Sequence, residues 1–283
     1  MKLSAIWESK NGLRGSGTCS HRRVSTPDIQ SPDCGEGGIG HALALDFKNQ
    51  GYVVFTTLLA HEPRDHLTDL GIHSFTADVT KDSDIEQLKE AISSLTEGSL
   101  SVLVNNAGIC YTMTAIDTDV KEVEKMFGVN VFGPMRMVHI FHPLLIKARG
   151  KIVNIGSELT DFEASYNATK AALHHWGNTL RVEMKPLGVE VVNVISGEVG
   201  TNILKRDHNR KLPEDSFYRP LEKEFMNHVT RTPRTTTPAE YSRSVVIEVM
   251  KQHSTAWFWT GASSGIVRFS EQFFPRTLWV NSL

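Results

Sequence analysis

The chain has 283 residues, a length typical of one or two domains. Of these residues 40% are hydrophobic and 22% charged, as in ordinary globular proteins. Lys and Arg number 30 against 32 Asp and Glu, and this net charge of −2 gives no reason to expect nucleic-acid binding. Three Cys are too few for a disulfide scaffold. The sequence has no apolar run of about 18 residues, which argues against a transmembrane helix.

The first 33 residues differ in character from the remainder of the chain. They are rich in Ser and contain a short basic run, as transit peptides do, but Glu8, Asp28 and Asp33 argue against that interpretation. The alternative is a disordered tail. We therefore predict an atypical, disordered or wrongly assigned segment over residues 1–33 and one folded domain over residues 34–283.

From residue 34 onward, apolar strands alternate with amphipathic helices. Strands are predicted over residues 52–59, 72–79, 100–104, 151–155, 189–195 and 256–259. Helices are predicted from an N-cap at Asp82 with Ile85, Leu88, Ile92 and Leu95 facing inward, over residues 119–147 with a kink at Gly133-Pro134, over residues 166–184, and from a capping box at Thr237 to about residue 252. This alternation predicts a single doubly wound, Rossmann-like α/β domain, with a parallel sheet covered on both faces and ligands at the carboxyl ends of the strands.

Residues 200–236 interrupt this regular pattern. They hold many charges, prolines and threonines after a late strand. A long excursion at that point often serves as a substrate lid. An inert surface insertion is the alternative.

Tyr166 and Lys170 are the first candidates for a chemical role. At positions i and i+4 they share one face of a predicted helix. An ammonium group beside a phenol stabilises the phenolate, so such a Tyr can transfer a proton near neutral pH. The alternative is an exposed pair on a surface helix.

Other polar and small residues end or interrupt the neighbouring elements. Ser157 follows a predicted strand, where its hydroxyl can donate a hydrogen bond to a carbonyl oxygen in the same crevice. Asn130 lies inside the long predicted helix, which indicates either a site residue or a solvent-facing position. The segment 105–108, Asn-Asn-Ala-Gly, ends another strand with small residues that let a ligand approach the backbone.

Together these motifs resemble those of the short-chain dehydrogenase/reductase family over residues 34–283. The matching positions are Gly37-Gly38-Ile39-Gly40, Asp78-Val79, Asn105 to Gly108, Asn130, Ser157, Tyr166, Lys170, and Ser196 to Thr201, a segment with Ser where the family has Pro. The C-terminal part, from Leu212 to Leu278, most resembles the 1-acyl-dihydroxyacetone-phosphate reductase branch.

The resemblance implies a role for each matching residue. Tyr166 would protonate the carbonyl oxygen as hydride arrives, and Lys170 would lower the pKa of that phenol and hold the nicotinamide ribose. Ser157 would polarise the carbonyl, and Asn130 would anchor a water of a proton relay. The cofactor-binding residues would be Gly37, Gly38, Ile39 and Gly40 in the phosphate loop, Asp78 and Val79 at the adenine, Asn106, Ala107 and Gly108 at the adenosine ribose, and Val199 and Thr201 at the nicotinamide.

The resemblance also implies the reaction and the cofactor. The expected activity is NAD(P)H-dependent reduction of a ketone, or the reverse alcohol oxidation, on a hydrophobic lipid-like or polyketide-like small molecule. NADP is the family expectation. NAD stays open, because Leu58-Leu59 stands where this branch has Arg, although His61 and Arg64 follow, and because Glu36 in the Gly-rich turn disfavours a phosphate.

A homo-oligomer in the cytoplasm is expected, with peripheral membrane or lipid contact left open and with no nucleic-acid partner. No metal site is predicted. The adjacent His174 and His175 face different directions on a helix, and the other His show no ligand spacing.

The start of the domain departs from the family pattern. The first Gly of the phosphate loop would fall at Asp33 or Cys34. Residues 26–33 cannot be a central strand, because two prolines remove backbone donors and two acids would be buried. The first strand is therefore expected to be missing or altered, leaving an unstable chain or one that binds dinucleotide poorly. Either the part of the cofactor site formed by the first strand and its phosphate loop is lost, or the N-terminal sequence is an error of gene prediction.

The spacing of Ser157 and Tyr166 also departs from the family pattern, and the segment 260–266 imitates part of it. Ser157 and Tyr166 are nine residues apart, closer than is usual in this branch, which predicts a reshaped substrate side. Ser165 is expected to cap the helix. The segment 260–266 spells most of a phosphate loop, but Val267 replaces its final Gly and too little chain follows for a nucleotide site.

Two functions of different classes follow from these observations. The intact set of Asn130, Ser157, Tyr166 and Lys170 favours a carbonyl reductase, because a pure binding protein has no use for all four. The altered phosphate loop favours a non-redox member of the fold, either a binding or regulatory protein or a lyase-type enzyme with an impaired cofactor site.

Overall fold

The computed structural model describes residues 5–8, 37–157, 163–201, 203 and 207–274, the first range by its backbone alone. The strands are β1 (Ala5–Glu8), β2 (Val53–Leu58), β3 (His73–Thr76), β4 (Val102–Asn105), β5 (Lys151–Ile155), β6 (Glu190–Ser196) and β7 (Trp257–Thr260). The α-helices are α1 (Ile39–Asn49), α2 (Asp65–Thr68), α3 (Asp82–Leu95), α4 (Val120–Phe127), α5 (Gly133–Ala148), α6 (Ala164–Met184), α7 (Glu222–Val229), α8 (Pro238–Met250) and α9 (Ser264–Phe273). A π-helix (Gly128–Phe132) joins α4 to α5, and short 3-10 helices occupy Lys185–Leu187 and Arg219–Leu221.

The strands form one sheet in the order β3-β2-β1-β4-β5-β6-β7. Every pairing that does not involve β1 is parallel. Helices α1 and α8 pack together on one face, and α3, α5 and α6 cover the other, so the apolar core lies on both sides of the sheet. This is the predicted doubly wound α/β fold. Among the described helices, none is both long and apolar enough to cross a membrane.

The central strand is present but reversed. The backbone of β1 lies between β2 and β4 and runs antiparallel to both, with Ile6 opposite Phe55 on one side and Leu103 on the other. Of the two expectations for the first strand, missing or altered, the structure shows an altered one, and it comes from residues 5–8, within the segment where no strand was predicted. A parallel first strand must end at the Gly-rich turn, whereas an antiparallel strand can lie far from that turn in sequence. Residues 9–36, which include Pro27 and Pro32, lie outside the described part of the chain.

The predicted element boundaries are close to the observed ones, with local corrections. Strand β3 ends at Thr76, three residues before the predicted end. The N-cap of α3 is Lys81, and Asp82 is the first helical residue. The inward face of α3 is buried as predicted at Ile85, Leu88 and Ile92, but Leu95 is 55% exposed because the helix ends there.

The break in the long predicted helix has a different form from a proline kink. The π-helix at Gly128–Phe132 inserts a wider turn directly before Gly133-Pro134. Such turns inside helices are rare and are often found at functional sites. The bulge places Asn130 in the interior, fully buried, which excludes the solvent-facing alternative.

A ladder of side-chain amides crosses the parallel half of the sheet. Asn105 donates to Asn154 at 2.9 Å, Asn154 donates to Asn193 at 3.0 Å, and Asn193 donates to Asn178 of α6 at 3.0 Å. The first three are direct register partners on β4, β5 and β6. Gly177 lies over the ladder, where a Cβ would be 2.9 Å from the Asn154 amide nitrogen. The ladder thus fixes the register of three strands and the position of α6 above them.

The segment between β6 and α8 packs on the loop that follows β4. Met113 of that loop shares a small buried cluster with Leu212, Phe225 and Val229. The Thr112 amide donates to the Asp207 carboxylate at 2.8 Å. An inert surface insertion would not bury such a cluster, so this segment is part of the folded domain.

A proline in β1 tests whether this strand occupies the centre of the sheet. Ile6→Pro removes one backbone donor from a strand that has a partner on each side, and a buried unpaired backbone group costs about 1–3 kcal/mol. We expect the melting temperature to fall by several degrees, whereas Ile6→Val, which keeps the donor, should melt close to the wild type. Equal melting of Ile6→Pro and wild type would contradict the central position of β1.

Candidate active site

A cleft of about 1090 Å³, partly open to solvent, lies at the carboxyl ends of β4, β5 and β6. Parallel strands expose their ends at one edge of a sheet, so side chains far apart in sequence meet there. Most of the predicted site residues line this cleft, namely Ile39, Asn106, Gly108, Ser157, Tyr166, Lys170, Val199 and Thr201.

Tyr166 and Lys170 lie on the face of α6 that borders the cleft. The Lys170 ammonium is 5.5 Å from the centroid of the Tyr166 ring. Lys170 is only 5% exposed, and its Nζ donates to the Ile155 carbonyl oxygen at 3.0 Å. Burial lowers the pKa of Lys170 to about 8. The exposed surface pair is therefore excluded, and the site holds a cation close to a phenol.

Asn130 ties the loop after β4 to α6. Its Oδ1 accepts from the Ile109 amide at 2.9 Å, and its Nδ2 donates to the Ile109 carbonyl and to Thr169 Oγ1, each at 2.9 Å. Both amide hydrogens are thus used by protein groups. The predicted role in a water relay stays a prediction. The observed contacts show that Asn130 holds Thr169, the residue next to Lys170.

The position of Ser157 at the end of β5 depends on its neighbour Gly156 and on the buried His174. The Gly156 amide donates to the Val194 carbonyl at 2.7 Å, which holds this end of β5 to β6. A Cβ on Gly156 would overlap the His174 ring, so only Gly fits there. His174 is 9% exposed, and burial together with nearby Lys170 lowers the pKa of its imidazole to about 4. It stays neutral, and sequence reasoning missed its packing role.

The nine-residue connection from Ser157 to Tyr166 passes through residues 158–162, which lie outside the described part of the chain. Both of its ends line the cleft. Helix α6 begins at Ala164 with Glu163 as N-cap, so Ser165 lies within the first turn and is not the predicted cap.

The Gly-rich turn fits a dinucleotide phosphate. Gly37 has a φ of +100°, and a Cβ there would meet open space, so its surroundings leave room for a ligand. Gly38 is the N-cap of α1 and, having no side chain, cannot cap the helix itself. Ile39 and Gly40 open that helix, whose first amides and dipole favour an anion. Residues 33–36, including Glu36 and Cys34, lie outside the described part of the chain.

The segment after β6 fits an amide-bearing ring. Thr201 Oγ1 is buried and has no hydrogen-bond partner within the described residues, while the residue lines the cleft. A buried polar atom of this kind needs a partner, and the nicotinamide amide can supply one. Val199 is 5% exposed and presents an apolar wall beside it. Thr201 and Val199 would therefore hold the nicotinamide, Gly37 to Gly40 the pyrophosphate, and Lys170 the ribose hydroxyls.

The predicted adenine and ribose residues occupy different environments. The Asp78 carboxylate accepts from the Thr80 amide at 2.9 Å and from the Thr80 hydroxyl at 2.7 Å, which fixes the turn after β3. Val79 and Ala107 are buried in the core, so they present only backbone to a ligand. Asn106 and Gly108 line the cleft, and a Cβ on Gly108 would be 3.6 Å from Lys170 Nζ.

The turn after β2 contains one acidic side chain and two exposed basic ones. The Glu62 carboxylate accepts from the Leu59 amide at 2.7 Å and closes the turn. His61 and Arg64 are exposed beyond it. The strand end itself is apolar at Leu58, and the two basic side chains follow it in the next turn.

Sequence reasoning missed a polar network at the far end of the cleft. Glu163 Oε1 accepts from Thr112 Oγ1 at 3.3 Å and lies 3.8 Å from His228 Nε2. Arg231 donates to His228 Nε2 at 2.7 Å and to Glu198 Oε1 at 2.8 Å. Arg231 therefore connects His228 to Glu198 across this end of the cleft. These residues come from separate loops, and no spacing in the sequence links them.

Cys110, a free cysteine, lines the same cleft. Burial, together with Glu163 and Asp207, raises the pKa of Cys110, so the thiol stays protonated and unreactive. In the described ranges, no group of three or more His, Cys, Asp or Glu side chains is arranged to hold a metal ion.

The segment 260–266, which imitates a phosphate loop, has a structural role. Gly261 has a φ of +102°, and a Cβ there would lie 2.9 Å from the Gly197 backbone nitrogen. The Ala262 backbone forms an antiparallel bridge with Glu198. This segment therefore supports the loop after β6 and leaves no room for a phosphate against Gly197.

Comparison with known proteins agrees with this geometry. Residues 34–211 match the profile of the short chain dehydrogenase family. The chain is 59% identical over 253 residues to the short-chain dehydrogenase RED1 of Pyricularia oryzae, covering 87% of this chain and 89% of that protein. It is 37% identical over 217 residues to the NADPH-dependent 1-acyldihydroxyacetone phosphate reductase of Schizosaccharomyces pombe, covering 74% and 73%.

A solved short-chain dehydrogenase from Streptomyces avermitilis has the same fold, with a TM-score of 0.73 at 23% identity over 87% of this chain and 93% of that one. The S. pombe relative supports the predicted similarity to the 1-acyl-dihydroxyacetone-phosphate reductase branch. With its fold, its family match and its extensive identity to RED1, the chain belongs to the short-chain dehydrogenase/reductase family and is an oxidoreductase.

Proposed function

We propose that the protein uses NADPH to reduce a ketone of a lipid-like or polyketide-like small molecule, and that it catalyses the reverse alcohol oxidation. The observation that carries this proposal is the convergence of Ser157, Tyr166 and Lys170 on one cleft. Membership of the oxidoreductase family sets aside the non-redox alternative. A relative in S. pombe is named NADPH-dependent, and the exposed Arg64 near the end of β2 supports NADP over NAD.

In this proposal each side chain has a separate task. The Ser157 hydroxyl donates a hydrogen bond to the substrate carbonyl, and the Tyr166 phenol delivers a proton to the same oxygen. The Lys170 ammonium favours the phenolate that remains. When bound, the reduced dinucleotide supplies the hydride. Asn130 keeps Lys170 and the loop after β4 in place through Thr169 and Ile109.

The lining of the cleft supports a mostly apolar substrate with a polar end. Ile155, Ile203 and Val229 line it together with the polar network around Glu163. Val229 belongs to α7, within the segment 200–236. We infer that this segment acts as the substrate lid, because its residues form one wall of the cleft.

Direct titration with NADPH tests the cofactor assignment. We expect the fluorescence of bound NADPH to rise with a dissociation constant in the micromolar range, and NADH to bind more weakly. Gly37→Val is the comparison, because a φ of +100° is strained for any side chain and the altered turn should weaken binding at least about tenfold. Saturation by neither dinucleotide would reject the proposed function.

Tyr166→Phe separates proton transfer from cofactor binding. The aromatic ring is kept beside Lys170, but no phenol proton reaches the carbonyl oxygen. We expect turnover of any accepted ketone to fall about 100- to 10,000-fold, while the dissociation constant for NADPH stays within about twofold. Steady-state kinetics and titration of the same sample measure both. Near-full turnover in the Phe variant would show that Tyr166 is not the acid.

Lys170 should make cofactor affinity depend on pH. Its pKa is about 8, so the ammonium is present below pH 8 and is lost as the pH rises above it. We expect NADPH affinity to weaken above pH 8 by up to about tenfold per pH unit. Lys170→Ala should bind NADPH weakly, turn over slowly and show no such slope. A wild-type affinity that is flat between pH 7 and 9.5 would contradict the role of this charge.

A further inference from the structure

Two buried hydroxyls meet behind the cofactor end of the cleft. Ser196, the last residue of β6, lines the cleft, and its Oγ lies 2.5 Å from the Tyr241 phenol oxygen of α8. Ser196 is 6% exposed and Tyr241 is fully buried. Burial raises the pKa of Tyr241 far above its ordinary value, so the phenol keeps its proton. The contact is therefore a neutral hydrogen bond screened from water.

The residue before the N-cap of α8 holds the next residues of the loop. The Thr236 amide donates to the Glu198 carbonyl at 3.0 Å, and the Gly200 amide donates to the Thr236 carbonyl at 2.9 Å. Helix α8 begins immediately after, with a capping box at Thr237 that uses Glu240. The loop 196–201 is thus attached to the start of α8 at three successive points.

The next residue of α8 after Tyr241 contacts the helix that starts at the Gly-rich turn. Ser242 hydrogen-bonds the Asp46 carboxylate of α1, and the two helices pack closely along their length. The two ends of the proposed dinucleotide site, at Gly37–Gly40 and at Val199–Thr201, are therefore attached to one helix.

We propose that Ser196 and Tyr241 are a pair of positioning residues that hold the loop 196–201 in the conformation that receives the nicotinamide at Thr201. The inference rests on the proposed function. In the family pattern this position is Pro, whose ring fixes the backbone. Ser imposes no such restriction, and the hydrogen bond to Tyr241 takes its place.

The pair predicts a selective effect on the nicotinamide end of the cofactor. Losing one buried hydrogen bond of this kind weakens NADPH binding about tenfold. Tyr241→Phe and Ser196→Ala should each show this loss. Because they remove the same contact, the double variant should be no weaker than the worse single variant. Adenosine 2′,5′-bisphosphate, which has no nicotinamide, should bind all variants and the wild type alike.

The experiment combines calorimetric titration with hydrogen exchange. Tyr52→Phe is the matched control, because it removes a phenol hydroxyl outside the cleft, and its NADPH affinity should equal that of the wild type. Unchanged NADPH affinity in both single variants, or an equal loss for the bisphosphate, would overturn the proposal. Fully additive losses in the double variant would do so as well.

Hydrogen exchange without cofactor keeps this test separate from the proposed function. We expect the amides of residues 197–201 to exchange faster in Tyr241→Phe and Ser196→Ala than in wild type, while those of β5 stay unchanged. If the wild type binds no NADPH, the proposed function fails, and unchanged exchange in residues 197–201 would reject the positioning pair on its own.

Discussion

The amide ladder of Asn105, Asn154 and Asn193 is the constraint on which the site depends. Asn105 and Asn154 each donate to the next strand, and Asn193 donates to Asn178 of α6. A shift of one strand would therefore leave buried donors and acceptors unpaired, at about 1–3 kcal/mol for each group. Strands β4 and β5 therefore end level with each other, and Asn106 and Ser157 in the loops that follow them lie at the same edge of the sheet. Gly177 allows α6 to approach this ladder closely, which brings Tyr166 and Lys170 over the same edge.

Burial gives Lys170 its chemical character. A solvent-exposed Lys would keep its ordinary pKa and spread its charge into water. Here the ammonium is enclosed and donates to the Ile155 carbonyl, and Asn130 braces the neighbouring turn through Thr169. In the proposed mechanism this desolvated charge acts on the Tyr166 phenol, whose ring centroid is 5.5 Å away, with little water to screen it. The π-helix, which turns Asn130 inward, is thus part of the same arrangement.

The sequence was sufficient where chemistry depends on local spacing or on strand ends. Tyr166 and Lys170 are one helical turn apart, and Ser157 follows a strand whose bounds were predicted correctly. The network of Glu163, His228 and Arg231 could not be predicted, because its members meet only through the path of the segment 200–236. The reversed β1 could not be predicted either, since its four residues carry no signal of direction.

The reversal of β1 changes what holds the Gly-rich turn. In a parallel sheet this turn follows directly from the carboxyl end of the first strand. An antiparallel β1 ends at the opposite edge, so it cannot set the position of Gly37–Gly40. Helix α1 is instead fixed by α8 through Asp46 and Ser242. Because α8 also contacts Ser196, the Gly-rich turn and the loop 196–201 share one support, and neither depends on the direction of the central strand.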